Sequence, residues 1–396
     1  MNGQHQTHAH IAVARNDDHT RTSVRGAFRD LLDRMDPPLP AMIRTGDHVL
    51  VKPFLRYGGG NPESRMISHP EVIAMAIEAV RDCGAMVTLG DEASTRMRSE
   101  NHLSDERWIY GIAESSGANL VSFAKAGARR VRGGMVYPRT YLISRAVLDV
   151  DKVVNCANFQ PHGPLVLSGA VKNMFSAVVG RCQQHLHNLF PRPEDIARVI
   201  VDVCTTVKPT VSFLDLTTVR DPTDTTTCHP VALLLAGTDP VALDAIAARA
   251  AGFEGADAPT IRLGQQMGLG CADTSQITVA GMDWQTMQAV QVKAMPSVGI
   301  ATEGFYCRTT RFINNVALRP RPEINQKTCS GCGDCRKICP VEAIHLGPDG
   351  MLRISLWKCA HCHLCIRACE SNAVSLQFGG VTKAIRRLMN KPLTVS

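Results

Sequence analysis

The chain is 396 residues long, 44% hydrophobic and only 5% aromatic, with a formal net charge of +7. That length holds two or three domains and a sizeable core, and no stretch approaches the roughly eighteen uninterrupted apolar residues of a membrane span. The polar start from Met1 to His10 lacks a basic segment leading into an apolar one, so the expectation is a globular, cytoplasmic protein with no transmembrane segment and no export signal.

The first three hundred residues alternate strand-like and helix-like segments, which predicts an α/β fold with a mostly parallel sheet flanked by helices. Strands are expected over His10–Arg15, Asp47–Lys52, Ala85–Gly90, Lys152–Asn158, Thr210–Leu216, Val231–Gly237 and Gln276–Ala280. Between them fall helices over Thr22–Met35, Pro70–Cys83, Ser168–Val179, Glu194–Val207 and from Asp239-Pro240 to Ala251. Their ends carry the expected punctuation, with Pro70 in a first turn, Gly84, Gly180 and Gly252 at ends, and Asp239 as an N-cap. The α/β region is expected over residues 1–281. From Met282 the pattern dissolves into a linker over 282–323, whose Arg319-Pro320-Arg321-Pro322 looks stiff.

In an open sheet of this kind ligands gather beyond the carboxyl ends of the strands. Lys52, Asp91, Glu92, Asn155, Asn158 and Asp215 all occupy such ends. The loop after Lys52 carries Arg56, Gly58-Gly59-Gly60 and, at its far end, His69, just before a helix start suited to an anionic group. A second constellation runs from His162 through Ser168-Gly169-Ala170-Val171-Lys172-Asn173 to Gly180, then His185 and His187. On one helix, Gly169, Asn173, Ser176 and Gly180 would share a narrow face that admits another backbone or a ligand. The candidate catalytic residues are therefore Lys52 and Lys172 as cations for anionic groups, His162 or His185 as proton carriers, and His69 at the helix start. Clustered histidines also suit a metal, and each taken singly also suits a hydrogen-bonded structural role.

Near the C-terminus, Cys329, Cys332, Cys335 and Cys339 form a C-x2-C-x2-C-x3-C run followed by Pro340. Cys359, Cys362, Cys365 and Cys369 repeat it thirty positions later. Three thiolates of such a run wrap one iron cube and the fourth reaches the partner cube. The expected ligand sets are Cys329, Cys332, Cys335 and Cys369 for one [4Fe–4S] cluster, and Cys359, Cys362, Cys365 and Cys339 for the other. Two structural zinc sites would also use eight cysteines, but explain neither the three-then-one spacing nor the proline. The other seven cysteines form no C-x2-C pair and read as core residues of a reducing compartment. From Phe305 to Ser396 fourteen Lys/Arg stand against five Asp/Glu. Much of that surplus is counter-charge to anionic clusters, and without interleaved aromatics it gives no nucleic-acid surface.

This stretch resembles a bacterial-type two-cluster ferredoxin domain, expected over residues 324–378, with a basic tail over 379–396. Glu370 replaces the proline usual after the second run. Val49-Leu50-Val51-Lys52-Pro53, His69-Pro70-Glu71-Val72, Ser168-Gly169-Ala170-Val171-Lys172-Asn173 and Thr238-Asp239-Pro240-Val241-Ala242-Leu243-Asp244 resemble the family called domain of unknown function 362. The resemblance covers about residues 10–378 and implies an α/β domain in redox association. It departs at Phe54, where asparagine is usual, before His162, where lysines are usual, and at Val219-Arg220-Asp221-Pro222.

Two functions compete. One is an oxidoreductase passing electrons through two [4Fe–4S] clusters to a small-molecule substrate or cofactor in the α/β domain. The other is a ferredoxin-like carrier whose α/β domain docks a redox partner protein. A lyase using an open iron is disfavoured because eight cysteines fill all eight iron positions.

Overall fold

The structure, a computed structural model, describes residues 9–16, 20–55, 67–92, 107–134, 139–163, 165–190, 192–221, 228–253, 255–287 and 321–377. The expectations for Arg56 and the glycines after it, for residues 288–320 of the linker and for the basic tail lie outside the described residues.

Strands β1 (Ala9–Arg15), β2 (His48–Pro53), β3 (Met86–Asp91) and β4 (Asn119–Ser122) are followed by a hairpin of β5 (Ala128–Arg132) and β6 (Thr140–Ser144). Then come β7 (Lys152–Asn158), a small hairpin of β8 (Gln160–His162) and β9 (Val166–Ser168), and the strands β10 (Val211–Arg220), β11 (Cys228–Gly237) and β12 (Ile277–Ala280). One eight-stranded sheet has the order β12-β1-β11-β10-β7-β2-β3-β4. Only β11 pairs antiparallel with its neighbours, so the other seven strands end at one edge.

Strand alternation divides the core between the two faces. Leu50, Val153 and Ala157 face the helices Pro193–Val207 and Pro240–Ala250. Val49, Val51, Val154 and Cys156 face Phe28, Ile73 and Ile77 of the helices Arg21–Asp33 and Pro70–Asp82. Helix Pro240–Ala250 is buried on almost every side, which its Ala-, Val-, Ile- and Leu-rich sequence permits. Asp239 accepts from the Val241 and Ala242 amides at its start, both at 2.9 Å.

From β2 the chain steps outward through β3 and β4, then returns to lay β7 against the other side of β2. The topological switch point therefore lies between β2 and β7, where Lys52 stands in register opposite Asn155.

Two expectations are corrected. The helix foreseen over Ser168–Val179 is instead the end of β9, one helical turn at Ala170–Asn173 and a 3-10 turn at Met174–Ala177. The interruption is fixed from outside: buried Asp244 accepts from the amides of Ala170 at 2.6 Å and Val171 at 3.1 Å, clamping the start of the turn. A Cβ on Gly169 would stand 2.2 Å from Asp244 Oδ1. In the foreseen linker, Arg321–Ile324 is strand β13 and pairs with β16 (Val374–Gln377) to close the small domain. That domain also holds the hairpin β14 (Ile344–Leu346) and β15 (Leu352–Ile354). Pro322 is tolerated because β13 pairs with one neighbour only.

Candidate functional site

The small domain is two copies of one unit. Short helices at Asp334–Lys337 and Leu364–Arg367 follow left-handed Gly333 and His363. The left-handed positions recur thirty residues apart, Gly331 with His361 and Glu342 with Asn372. The sulfurs recur as well: Ala343 N–H donates to Cys339 Sγ and Ala373 N–H to Cys369 Sγ, each at 3.2 Å. Such N–H···S bonds tune the potential of an iron–sulfur centre.

The thiols couple electrostatically mostly within the expected ligand sets, though Cys365 also feels Cys335 across them. Cys335 is pushed up by burial and by the neighbouring Cys369, Cys329 and Cys332 sulfurs. Cys362 is pushed up to about 11 by burial, with Cys339 and Cys359 adding. Cys339, Cys359, Cys362 and Cys365 line one small cavity with Val341, Ile344, Ile354 and Leu364. Four thiols around an apolar cage fit a cube, whose positive iron offsets the cost of deprotonating buried cysteines.

The two sets differ in exposure. The first holds exposed Cys332 beside buried Cys335, whereas the second has no exposed member and both Cys362 and Cys365 buried. Cys362 and Leu364 pack with Ala124, Leu142 and Val179 of the α/β domain. Gly180 sits beneath, at φ +59°, where a Cβ would meet the Cys362 carbonyl oxygen at 2.3 Å. Another backbone thus approaches closely at a turn glycine, and not on the helical face expected, since that helix is interrupted. An ion pair crosses the same contact: Arg367 Nη1 to Glu92 Oε1, 2.8 Å, with the Glu92 side chain 1% exposed. Burial pushes Glu92 up to about 7, against the pull of Arg367 and the Gly180 amide.

Behind Glu92 lies the switch point. Lys52 is fully buried, and its ammonium reaches Asp91 Oδ1 at 3.0 Å, Asn173 Oδ1 at 3.0 Å and the Pro53 carbonyl at 2.9 Å. Those three acceptors use all three of its donors. Lys52 thus anchors the network instead of presenting a free cation, because the turn Ala170–Asn173 lies across it. Burial lowers its proton affinity, and Asp91 opposes the fall. Asn173 donates to Asn155 Oδ1 at 2.7 Å, and Asn155 donates to the Ala170 carbonyl and Ser212 Oγ, both at 3.0 Å. Ser176 Oγ donates to Asp91 Oδ1 at 2.7 Å.

A second polar group forms one strand over. Asp215 accepts from His69 N–H at 2.9 Å, from the Thr217 hydroxyl at 2.6 Å and from Asn158 at 3.3 Å. His69 caps its helix, Nδ1 accepting from Glu71 N–H at 3.1 Å. His162 Nδ1 accepts from Leu165 N–H at 3.3 Å. Lys172 Nζ lies 3.5 Å from Ser168 Oγ, and its charge helps burial lower His187 to about 4. His185, half-buried, lies on the helix Cys182–Leu189. The structure therefore joins Lys52, Asp91, Asn155 and Asn173, and sets His69 with Asn158 and Asp215. Among the described residues the histidines do not gather as a group of metal ligands. Asp244 and Arg367 were missed as site residues, since nothing local in sequence marks a carboxylate that clamps a turn 74 positions away or an arginine that pairs 275 positions away.

A parallel sheet with a polar switch point and a cysteine-rich domain on its edge defines an iron–sulfur protein built on an α/β scaffold. The chain belongs to the family described as domain of unknown function (DUF362), matched over residues 49–249, and carries a 4Fe–4S dicluster domain matched over 321–370. It is 25% identical over 265 residues to the thylakoid-associated protein sll1697 of Synechocystis, across 65% of this chain and 79% of that one. Over 48 residues it is 38% identical to one component of the Na(+)-translocating ferredoxin:NAD(+) oxidoreductase complex of Acetobacterium woodii, 12% of this chain and 14% of that component. The lactate racemase apoprotein of Thermoanaerobacterium thermosaccharolyticum superposes at a TM-score of 0.39 with 11% identity, over 51% of this chain and 49% of that one. That likeness is too slight to define the fold. The iron–sulfur domain gives the chain an electron-transfer role. No helix among the described residues is long and apolar enough to cross a membrane.

Proposed function

We propose that the protein is an iron–sulfur oxidoreductase that carries electrons through two [4Fe–4S] clusters into its α/β domain. When bound, the clusters supply one-electron transfer at low potential. Cys329, Cys332, Cys335 and Cys369 hold the outer one, and Cys339, Cys359, Cys362 and Cys365 the inner one. The observation that carries this reading is the seating of Cys362 and Leu364 on Val179 and Gly180, at the carboxyl edge where open sheets bind ligands. Electrons enter at the exposed Cys332 side and leave at the buried Cys362 side. His69, His162, Lys172 and His185, all partly exposed, face the substrate in this reading, as proton carriers and a cation. Lys52 holds Asp91 and Asn173 in place behind them.

One observation favours the carrier alternative. Trp357, two residues before Cys359, is 82% exposed, and Leu346, Met351 and Leu356 of the same domain are exposed as well. Such a surface suits a protein partner, which serves as electron donor in the first reading and as acceptor in the second.

Mixing reduced full-length protein with the small-molecule and the macromolecular fractions of a cell extract separates the two. The enzyme reading expects reoxidation by the small-molecule fraction, slowed about 10²-fold or more in His162→Ala or Lys172→Ala with iron content unchanged. Reoxidation by the macromolecular fraction alone would establish the carrier.

A further inference from the structure

We propose that Glu92 is the proton-exchanging group at the contact between the two domains, taking up a proton when the inner cluster receives an electron. The inference rests on the iron–sulfur reading above. Glu92 directly follows β3 and is buried against the small domain. Its Oε1 is held by Arg367, while Oε2 is buried with no partner at good hydrogen-bond geometry among the described residues, the Gly180 amide adding only a weaker pull on the carboxyl. A buried carboxylate oxygen is ordinarily satisfied, so a bare one is the natural seat of a proton.

The surroundings connect this seat to both sides. Arg367 ends the helix Leu364–Arg367, between Cys365 of the inner set and Cys369 of the outer one. Glu92 N–H donates to Asp91 Oδ1 at 2.8 Å, and Asp91 carries Lys52 and Ser176. The charged groups facing Glu92 are therefore Arg367 from the small domain and Asp91 from its own strand, with Lys52 one step beyond. Gly180 presents its backbone amide from the loop under Cys362. Burial first, then Arg367 and Gly180 in opposition, then Asp91 in support, bring the carboxyl to about 7. Both protonation states are then reachable near neutral pH.

The step balances. One electron from a low-potential one-electron donor enters through the outer set, one proton from bulk water binds Glu92 Oε2, and the buried contact gains no net charge. By linkage the coupling is reciprocal: a proton on Glu92 favours the electron as much as the electron favours the proton.

The test is a spectroscopically monitored redox titration of the intact, cluster-loaded protein at a series of pH values around 7. One midpoint is expected to fall with rising pH, approaching a tenfold change in the reduction equilibrium per unit, about 59 mV for one electron. In Glu92→Gln, which keeps the shape and an acceptor for Arg367, that midpoint should become independent of pH. The reduced-minus-oxidised infrared spectrum of the wild-type protein should show a protonated carboxyl band on reduction, a readout that needs no variant. Midpoints flat with pH in the wild type, a slope that survives in Glu92→Gln, or no carboxyl band on reduction would each overturn the proposal. Since each needs clusters in place, failure of the iron–sulfur reading would show separately as absent iron.

Discussion

Replacing Lys52 with methionine is expected to destabilise the α/β domain by about 3–5 kcal/mol, the range for breaking a buried ion pair from one side. Methionine matches the aliphatic stem but leaves Asp91 without the ammonium at 3.0 Å and Asn173 Oδ1 without its donor. Asp91 keeps Ser176 and the Leu55 and Glu92 amides, so the damage centres on the uncompensated charge. The double variant Lys52→Met with Asp91→Asn should recover much of the loss, because neither residue then carries a charge. Chemical denaturation of both variants checks this. A single variant as stable as the wild type would mean that the buried pair does not hold the switch point together.

The second large effect concerns the seating of the small domain. Gly180→Val should weaken it, since Gly180 is left-handed and its Cβ would fall 2.3 Å from a backbone oxygen. Valine is disfavoured at that φ, and the Cys362 carbonyl cannot swing aside as a side chain can. Overpacking of this kind costs about 1–3 kcal/mol, here taken from the domain contact and not from either core. Bleaching of the inner cluster by an iron chelator should accelerate several-fold, while iron content after gentle purification stays at the wild-type value. Unchanged bleaching would place the contact elsewhere.

Seven of the sheet's eight strands were legible because they are apolar runs bounded by Gly, Pro and Asp, while β4, four residues long and nowhere fully buried, carries no such run. The strand Lys152–Asn158 matches its expected ends to the residue, and the mostly parallel fold follows from the alternation. The iron–sulfur domain was legible for a different reason: ligand spacing is a local constraint that survives any change in surroundings. What failed to show depends on distant partners. Apolar periodicity over Ser168–Val179 is helical, yet Asp244 clamps the first turn, while Asn173 and Ser176 are held by Lys52 and Asp91 across the sheet. Lys52 read as a clamp for an anion because a strand-end lysine is usually open to ligand; only the packed turn shows its donors already used. Arg321 and Pro322 read as linker because proline seldom enters a strand, and the edge position of β13 removes that objection. The seating of the small domain had no local mark at all.

Everything proposed for this chain depends on two [4Fe–4S] clusters, the inner one on the edge of the sheet. Iron, zinc and acid-labile sulfide analysis of anaerobically purified full-length protein is the decisive experiment. About eight irons and eight sulfides per chain are expected, as two four-iron cubes demand. About two zinc ions per chain and no sulfide would contradict the iron–sulfur assignment.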